Sequence, residues 1–169
     1  MTAGNKSIVK LSKIALLTLV ILAGAFVWVG INMLESEMIF YKVVGLFSIM
    51  FFGYAALSSL LKIFDTSPGL IIDEHGIYDN SSGNKAGMIP WNDISGISSS
   101  SAGMQKYITI NVFQPERYIR KMNFPKNIFA TLNNVFFESP IHISSSTLQI
   151  SFDELTQLIN ESYEKYKNT

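Results

Sequence analysis

Two stretches near the start of the chain constrain its fold more than anything else in it. "IALLTLVILAGAFVWVGINML" runs from Ile14 to Leu34 without a charge, and "VVGLFSIMFFGYAALSSLL" runs from Val43 to Leu61 between Lys42 and Lys62. About 20 apolar helical residues span the hydrocarbon core of a bilayer, and both runs have that length. Lysines at the ends of such a run snorkel to the headgroups, and Phe40 and Tyr41 stand where aromatic residues anchor. Two buried helices of a soluble protein are the first rival reading. It fails on size, because the roughly 105 residues that follow are too few to cover two such helices on every face. A cleaved signal peptide is the second. Lys6, Lys10 and Lys13 resemble its basic region and Ala23-Gly24-Ala25 its cleavage site. Against it, the apolar run continues unbroken to Leu34 and a second one follows at once.

Only Glu35 to Tyr41 separates the runs, so the expected arrangement is a helical hairpin with both outer ends on one side. The outer flanks carry Lys6, Lys10, Lys13 and Lys62, and the tip carries Glu35, Glu37 and Lys42. Positive flanks stay in the cytoplasm, which places the N- and C-termini there. The spans hold no ionisable residue at mid-depth, where pumps and channels place theirs. Ala55 and Ser59 form a small-xxx-small pair, and Gly24 and Gly53 are positions for close helix approach, within the hairpin or in a dimer.

The division is therefore a two-span hairpin over residues 1–64, with spans at about 14–34 and 43–61, followed by a water-facing part over 65–169. The chain is 15% charged against a usual value of roughly 25%, and the shortage lies in the first part. Residues 1–64 hold five lysines against two glutamates. Residues 65–169 hold eight cations against eleven acids. An acidic soluble part lacks the basic footprint of a nucleic-acid binder. The absence of cysteine excludes thiol catalysis, cysteine-ligated metals and disulfides.

After the breaker Thr66-Ser67-Pro68-Gly69, the sequence predicts short strands. "LIID" (70–73) and "IYD" (77–79) form a hairpin through "EHG", and "AGMIPW" (86–91) follows a polar turn. "SGISSSS" (95–101) is a weaker strand. "KYITINVF" (106–113) alternates cleanly, with Ile108, Ile110 and Val112 on one face. Residues 115–137 read as helix broken at Pro125. "PIHIS" and "STLQIS" are short extended pieces. "SFDELTQLINESYEKYKN" is an amphipathic helix opened by a Ser151–Glu154 capping box. The fold class is α+β: a transmembrane hairpin, then a small, strongly bent antiparallel sheet or barrel of pleckstrin-homology (PH)-like layout, closed at its open end by the C-terminal helix.

In that layout Trp91 ends a strand and plugs the core, and Ile94 and Ile97 return to it. "GLIIDEHGIYDN…GMIPWNDISGI", preceded by the two spans and followed by "PIHISSSTLQISFDELTQLI", resembles a family of small bacterial inner-membrane proteins with two N-terminal transmembrane helices and a PH-like cytoplasmic domain. The resemblance covers nearly the whole chain and rests on structural motifs. It implies a bacterial inner-membrane location and no catalytic residue.

No constellation of chemistry emerges from the residues. His75 sits in a turn and His142 in a strand, without metal-ligand spacing, so no metal and no cofactor are expected. Ser98 to Ser101 lack a nucleophile elbow. Asp153 and Glu154 suit helix capping better than acid–base catalysis. One cluster stands out, "PERYIRKMNFPK", in which Arg117, Arg120, Lys121 and Lys126 face only Glu116. It is either a solvated helix face or a contact for anionic lipid headgroups or an acidic protein partner. The expected function is non-enzymatic: a binding or scaffold module held at the inner membrane face. The alternative is an immunity or envelope-stress protein acting through its hairpin against a membrane-active toxin.

Overall fold

The computed structural model describes residues 6–81, 85–102, 105–122, 126–137 and 139–167. The chain divides into two compact units: Ser12–Thr66, and a second that joins the residues up to Leu11 with Ser67–Thr169.

The first unit is a helical hairpin of α1 (Lys13–Met33) and α2 (Ile39–Phe64). Both helices are long and apolar enough to cross a membrane, and few of their residues are buried. A core helix of a soluble protein would show the opposite. The Ser12 hydroxyl caps α1 by accepting from the Ala15 N–H. Lys13 Nζ donates to the carbonyls of Ile63 and Asp65, so this cation closes the C-terminal end of α2, where the helix dipole is negative. The helices approach most closely at a glycine pair. A Cβ on Gly45 would stand 2.6 Å from the Gly30 carbonyl oxygen, and one on Gly30 would stand 2.9 Å from that of Gly45. Ser48 donates across the pair to the Phe26 carbonyl, and Phe26 stacks on Phe52 at 4.3 Å between ring centroids. The sequence nominates Gly24 and Gly53 for this role, but a Cβ at either meets nothing within 4 Å. Spacing alone does not reveal which glycines share a height once the turn fixes how the two helices are paired.

The second unit holds two antiparallel sheets. The first has the order β1-β2-β3-β4, from β1 (Ser7–Val9), β2 (Leu70–Asp73), β3 (Gly76–Asp79) and β4 (Gly87–Pro90). The second has the order β5-β6-β7, from β5 (Ile94–Ala102), β6 (Gln105–Val112) and β7 (His142–Ile143). Between β6 and β7 lie α3 (Pro115–Arg120) and α4 (Lys126–Phe137). The chain ends on α5 (Phe152–Tyr166). The class is α+β, and the two sheets do not close into a barrel among the described residues.

β1 is the element that sequence patterning does not announce. Its residues pair with β2 in the register Ser7↔Ile72, Ile8↔Ile71 and Val9↔Leu70. Beyond it, the Gly69 N–H donates to the Val9 carbonyl, Gln149 N–H to the Lys10 carbonyl, and Leu11 bridges to Leu148. Leu11 is 3% exposed. The second unit therefore does not start at residue 65. It takes its first strand from before α1, and the hairpin is inserted between two strands that are ladder partners.

The strands from Leu70 to Val112 follow the sequence expectations closely, whereas the extended piece expected at "STLQIS" opens with a 3-10 turn, Ser145–Thr147. Gly76 makes the β2–β3 turn at φ +149°, and a Cβ there would run into the Ile89 carbonyl, so the tight turn requires glycine. β5 is longer than its serine-rich sequence suggests because it pairs with β6 along its length, with one irregularity between Ile94 and Gly96. Ile108 and Ile110 of β6 are fully buried. Both halves of the Ser151–Glu154 capping box form, and the Ser151 hydrogen bonds hold the Glu154 carboxyl below its ordinary range. α5 turns Leu155 and Ile159 into the core.

Candidate functional site

Trp91 lies in a single 3-10 turn, Trp91–Asp93, between β4 and β5. Its ring is buried, its Nε1 donates to the Asp73 carbonyl at 2.8 Å, and its faces meet two aromatic residues of α5. Tyr166 stacks at 5.9 Å and Tyr163 tilts against it at 6.2 Å. The indole has a polar partner and apolar neighbours, which is the arrangement of a structural tryptophan. Ile94 is buried and Ile97 is half-buried. The aromatic seam from Trp91 to α5 is how the C-terminal helix fastens onto the sheet.

The same 3-10 turn positions the basic cluster. Asp93 Oδ2 accepts from the Tyr118 hydroxyl at 2.8 Å and from Arg117 Nη1 at 3.1 Å, while the Asp93 carbonyl accepts from the Phe113 N–H at 3.0 Å. These bonds tie α3 to the corner between β4 and β5. Tyr118 is almost wholly buried, and burial together with the Asp93 carboxylate pushes its phenol far above its ordinary range. The four cations grouped by sequence differ in their surroundings. Arg117 is turned to Asp93. Arg120 and Lys121 are exposed, with the Lys121 ammonium 5.8 Å from the Tyr118 ring centroid. Lys126 opens α4, and its side chain lies outside the described residues.

After these cations in sequence, α4 carries an apolar stripe. Ile128, Leu132 and Val135 are 48%, 46% and 69% exposed, while Ala130, on the other side of the helix, is fully buried. The spacing i, i+4, i+7 is present in the sequence, but a sequence reading assigns such a stripe to the core by default. Only the fold shows that it faces outward.

Sequence reading also misses a chain of hydrogen bonds across the second sheet. His142 Nε2 lies 2.9 Å from the Ser139 carbonyl, which only accepts, so Nε2 carries the proton. Nδ1 then accepts from the Thr109 hydroxyl at 3.0 Å, and Thr109 accepts from Ser100 at 3.0 Å. Thr109 is buried although it stands on the polar side of the alternation. Burial pushes His142 below its ordinary range. The hydroxyl beside the imidazole is spent on internal bonding, so the row is a buried polar staple with the residue types of a nucleophilic site and not its geometry. His75 is exposed, 3.8 Å from Glu74, in the β2–β3 turn. Among the described residues no three His, Asp or Glu side chains group as metal ligands would.

No family model, no curated protein and no solved structure matches the chain.

Proposed function

We propose that the protein is a two-span, membrane-anchored, non-enzymatic module that holds a PH-like domain at the cytoplasmic face of a bacterial inner membrane, where the domain binds a protein, a peptide or a lipid headgroup. The observation that carries the reading is the β1–β2 ladder. Paired strands lie about 5 Å apart, whereas the two faces of a bilayer core are about 30 Å apart. The pairing of Val9 with Leu70 supports a hairpin that enters and leaves the lipid on one face. Three residues join β1 to α1 and five join α2 to β2. Fully extended, these links reach about 11 and 18 Å. The lysines at the outer ends and the glutamates in the turn support a cytoplasmic position for the domain.

The PH-like part of the reading is supported by the order of elements. Sheets of four and three strands precede a C-terminal helix whose Leu155, Ile159, Tyr163 and Tyr166 turn toward the core and Trp91. An anchored domain meets partners at raised effective concentration, so it needs no high intrinsic affinity.

The test replaces residues 12–66 with an unrelated two-span hairpin and compares photo-crosslinked partners of the full chain in native membranes. A binding module keeps its partners through the second unit. Loss of every partner on exchange of the spans overturns the proposal and favours action through the hairpin.

A further inference from the structure

We propose that α4 is a second membrane contact, lying in the interface of the bilayer that α1 and α2 span, with Ile128, Leu132 and Val135 at the acyl boundary and Arg120 and Lys121 on anionic headgroups. The proposal rests on the reading of α1 and α2 as spans, and names what the outward face of the second unit binds.

Three observations converge. The first is the stripe itself, three large apolar side chains about half-exposed or more on one side of a helix whose opposite side is buried at Ala130. Large apolar side chains in line on an exposed helix face are the pattern of a helix that lies on a membrane. The second is charge. Residues 117–137 contain Arg117, Arg120, Lys121 and Lys126 and no acid, whereas the rest of residues 65–169 hold four cations against eleven acids. The most cation-rich acid-free stretch of residues 65–169 therefore includes its outward apolar helix, and anionic lipid complements both. Arg117 is exposed but paired with Asp93, and Arg120 and Lys121 are exposed at the end of α3. The third is the tether. Links of three and five residues join the unit to α1 and α2, so contact with the bilayer that they span is intramolecular and forms at raised effective concentration. A soluble partner for the same stripe would have to meet the full cost of association.

The chain has no cysteine, so single labels report without background. The full chain is reconstituted into vesicles of about one-third anionic lipid, with an environment-sensitive fluorophore on Thr131→Cys. This exposed position flanks the stripe without altering it. Phe47→Cys in α2 and Glu161→Cys on α5 serve as membrane and water references. Quenching by spin-labelled acyl chains is read for each.

The expected result is strong quenching at Phe47, little at Glu161, and quenching at Thr131 at least about threefold that at Glu161. The Thr131 signal falls toward the water reference with Arg120→Glu plus Lys121→Glu, in 0.5 M salt, or with Ile128→Ser, Leu132→Ser and Val135→Ser together. A Thr131 label as unquenched as Glu161, with Phe47 quenched, overturns the proposal and leaves the anchor reading intact. A Thr131 label that is dry by its emission but unreached by the lipid quencher also overturns it, in favour of a protein or a second copy on the stripe. An unquenched Phe47 overturns the anchor and the proposal together.

Discussion

If the residues before α1 belong to the second unit, a substitution at Leu11 destabilises that unit as a core substitution does. Leu11 is 3% exposed, and its side chain lies over Gly69 and beside Leu148, so its neighbours come from two distant parts of the sequence. Leu11→Ala removes three buried carbon atoms, and such changes cost about 2–5 kcal/mol. Ile8 stands on the same short strand with its side chain 54% exposed, so Ile8→Ala costs about 0.5 kcal/mol or less. A domain of ordinary stability has only about 5–15 kcal/mol in hand, so the difference is large. The chain has two tryptophans. In a Trp28→Phe background, Trp91 alone reports unfolding from its seat against Tyr166. With a urea dependence of about 1–3 kcal/mol per molar, Leu11→Ala lowers the midpoint in detergent by roughly 1–2 M and Ile8→Ala leaves it almost unchanged. Equal midpoints for the two variants would refute the claim that the pre-hairpin strand is built into the unit.

The hairpin makes its own prediction: Gly45→Leu, whose Cβ meets the Gly30 carbonyl at 2.6 Å, lowers thermal stability in detergent by at least about 1–3 kcal/mol, whereas Gly53→Leu, with open space at its Cβ, leaves it unchanged. Tyr118→Phe removes the hydrogen bond to Asp93 and costs about 1 kcal/mol at neutral pH in urea titrations. The Tyr118 phenol is pushed above its ordinary value of 10.0 in the fold. Its contribution is therefore complete below pH 10 and is lost as the pH rises beyond that, and Tyr118→Phe abolishes this part of the alkaline loss. His142 is pushed below 6.5, so its contribution is complete above that pH and is lost as the pH falls through the folded value. Urea midpoints between pH 7 and 5 fall in the parent chain, and the fall is reduced in His142→Gln.

The elements most legible in the sequence are those whose signals are local. The apolar runs, the alternation around Ile108 and Ile110, and the Ser151–Glu154 capping box each carry their signal within a few residues, and each stands where it is expected. What sequence reasoning misses is set by chain distant in sequence. β1 is three residues long, and Ser7-Ile8-Val9 has no pattern that separates it from the basic flank of a membrane span. It becomes a strand because Leu70–Asp73 offers it an edge. Arg117 looks like a free cation beside Arg120, and only the fold brings Asp93 within 3.1 Å. The α4 stripe is legible as a helix pattern but not as a surface, since amphipathic spacing does not say which side of the helix the rest of the chain covers. The barrel expectation extrapolates from the order of short hairpins, helical insert and closing C-terminal helix. Closure depends on pairing between the two sheets, and no local pattern encodes that.

The central claim is that the hairpin leaves the domain and returns to it on one face of the membrane, with only its turn on the other. Cysteine placed singly at Ser7, Glu37 or Glu161 in the cysteine-free chain, exposed to a membrane-impermeant maleimide on intact spheroplasts, measures this directly. Labelling is expected at Glu37 alone, with Ser7 and Glu161 reacting together only after lysis. Labelling of Ser7 or Glu161 from outside, or labelling that separates those two positions, would contradict that claim.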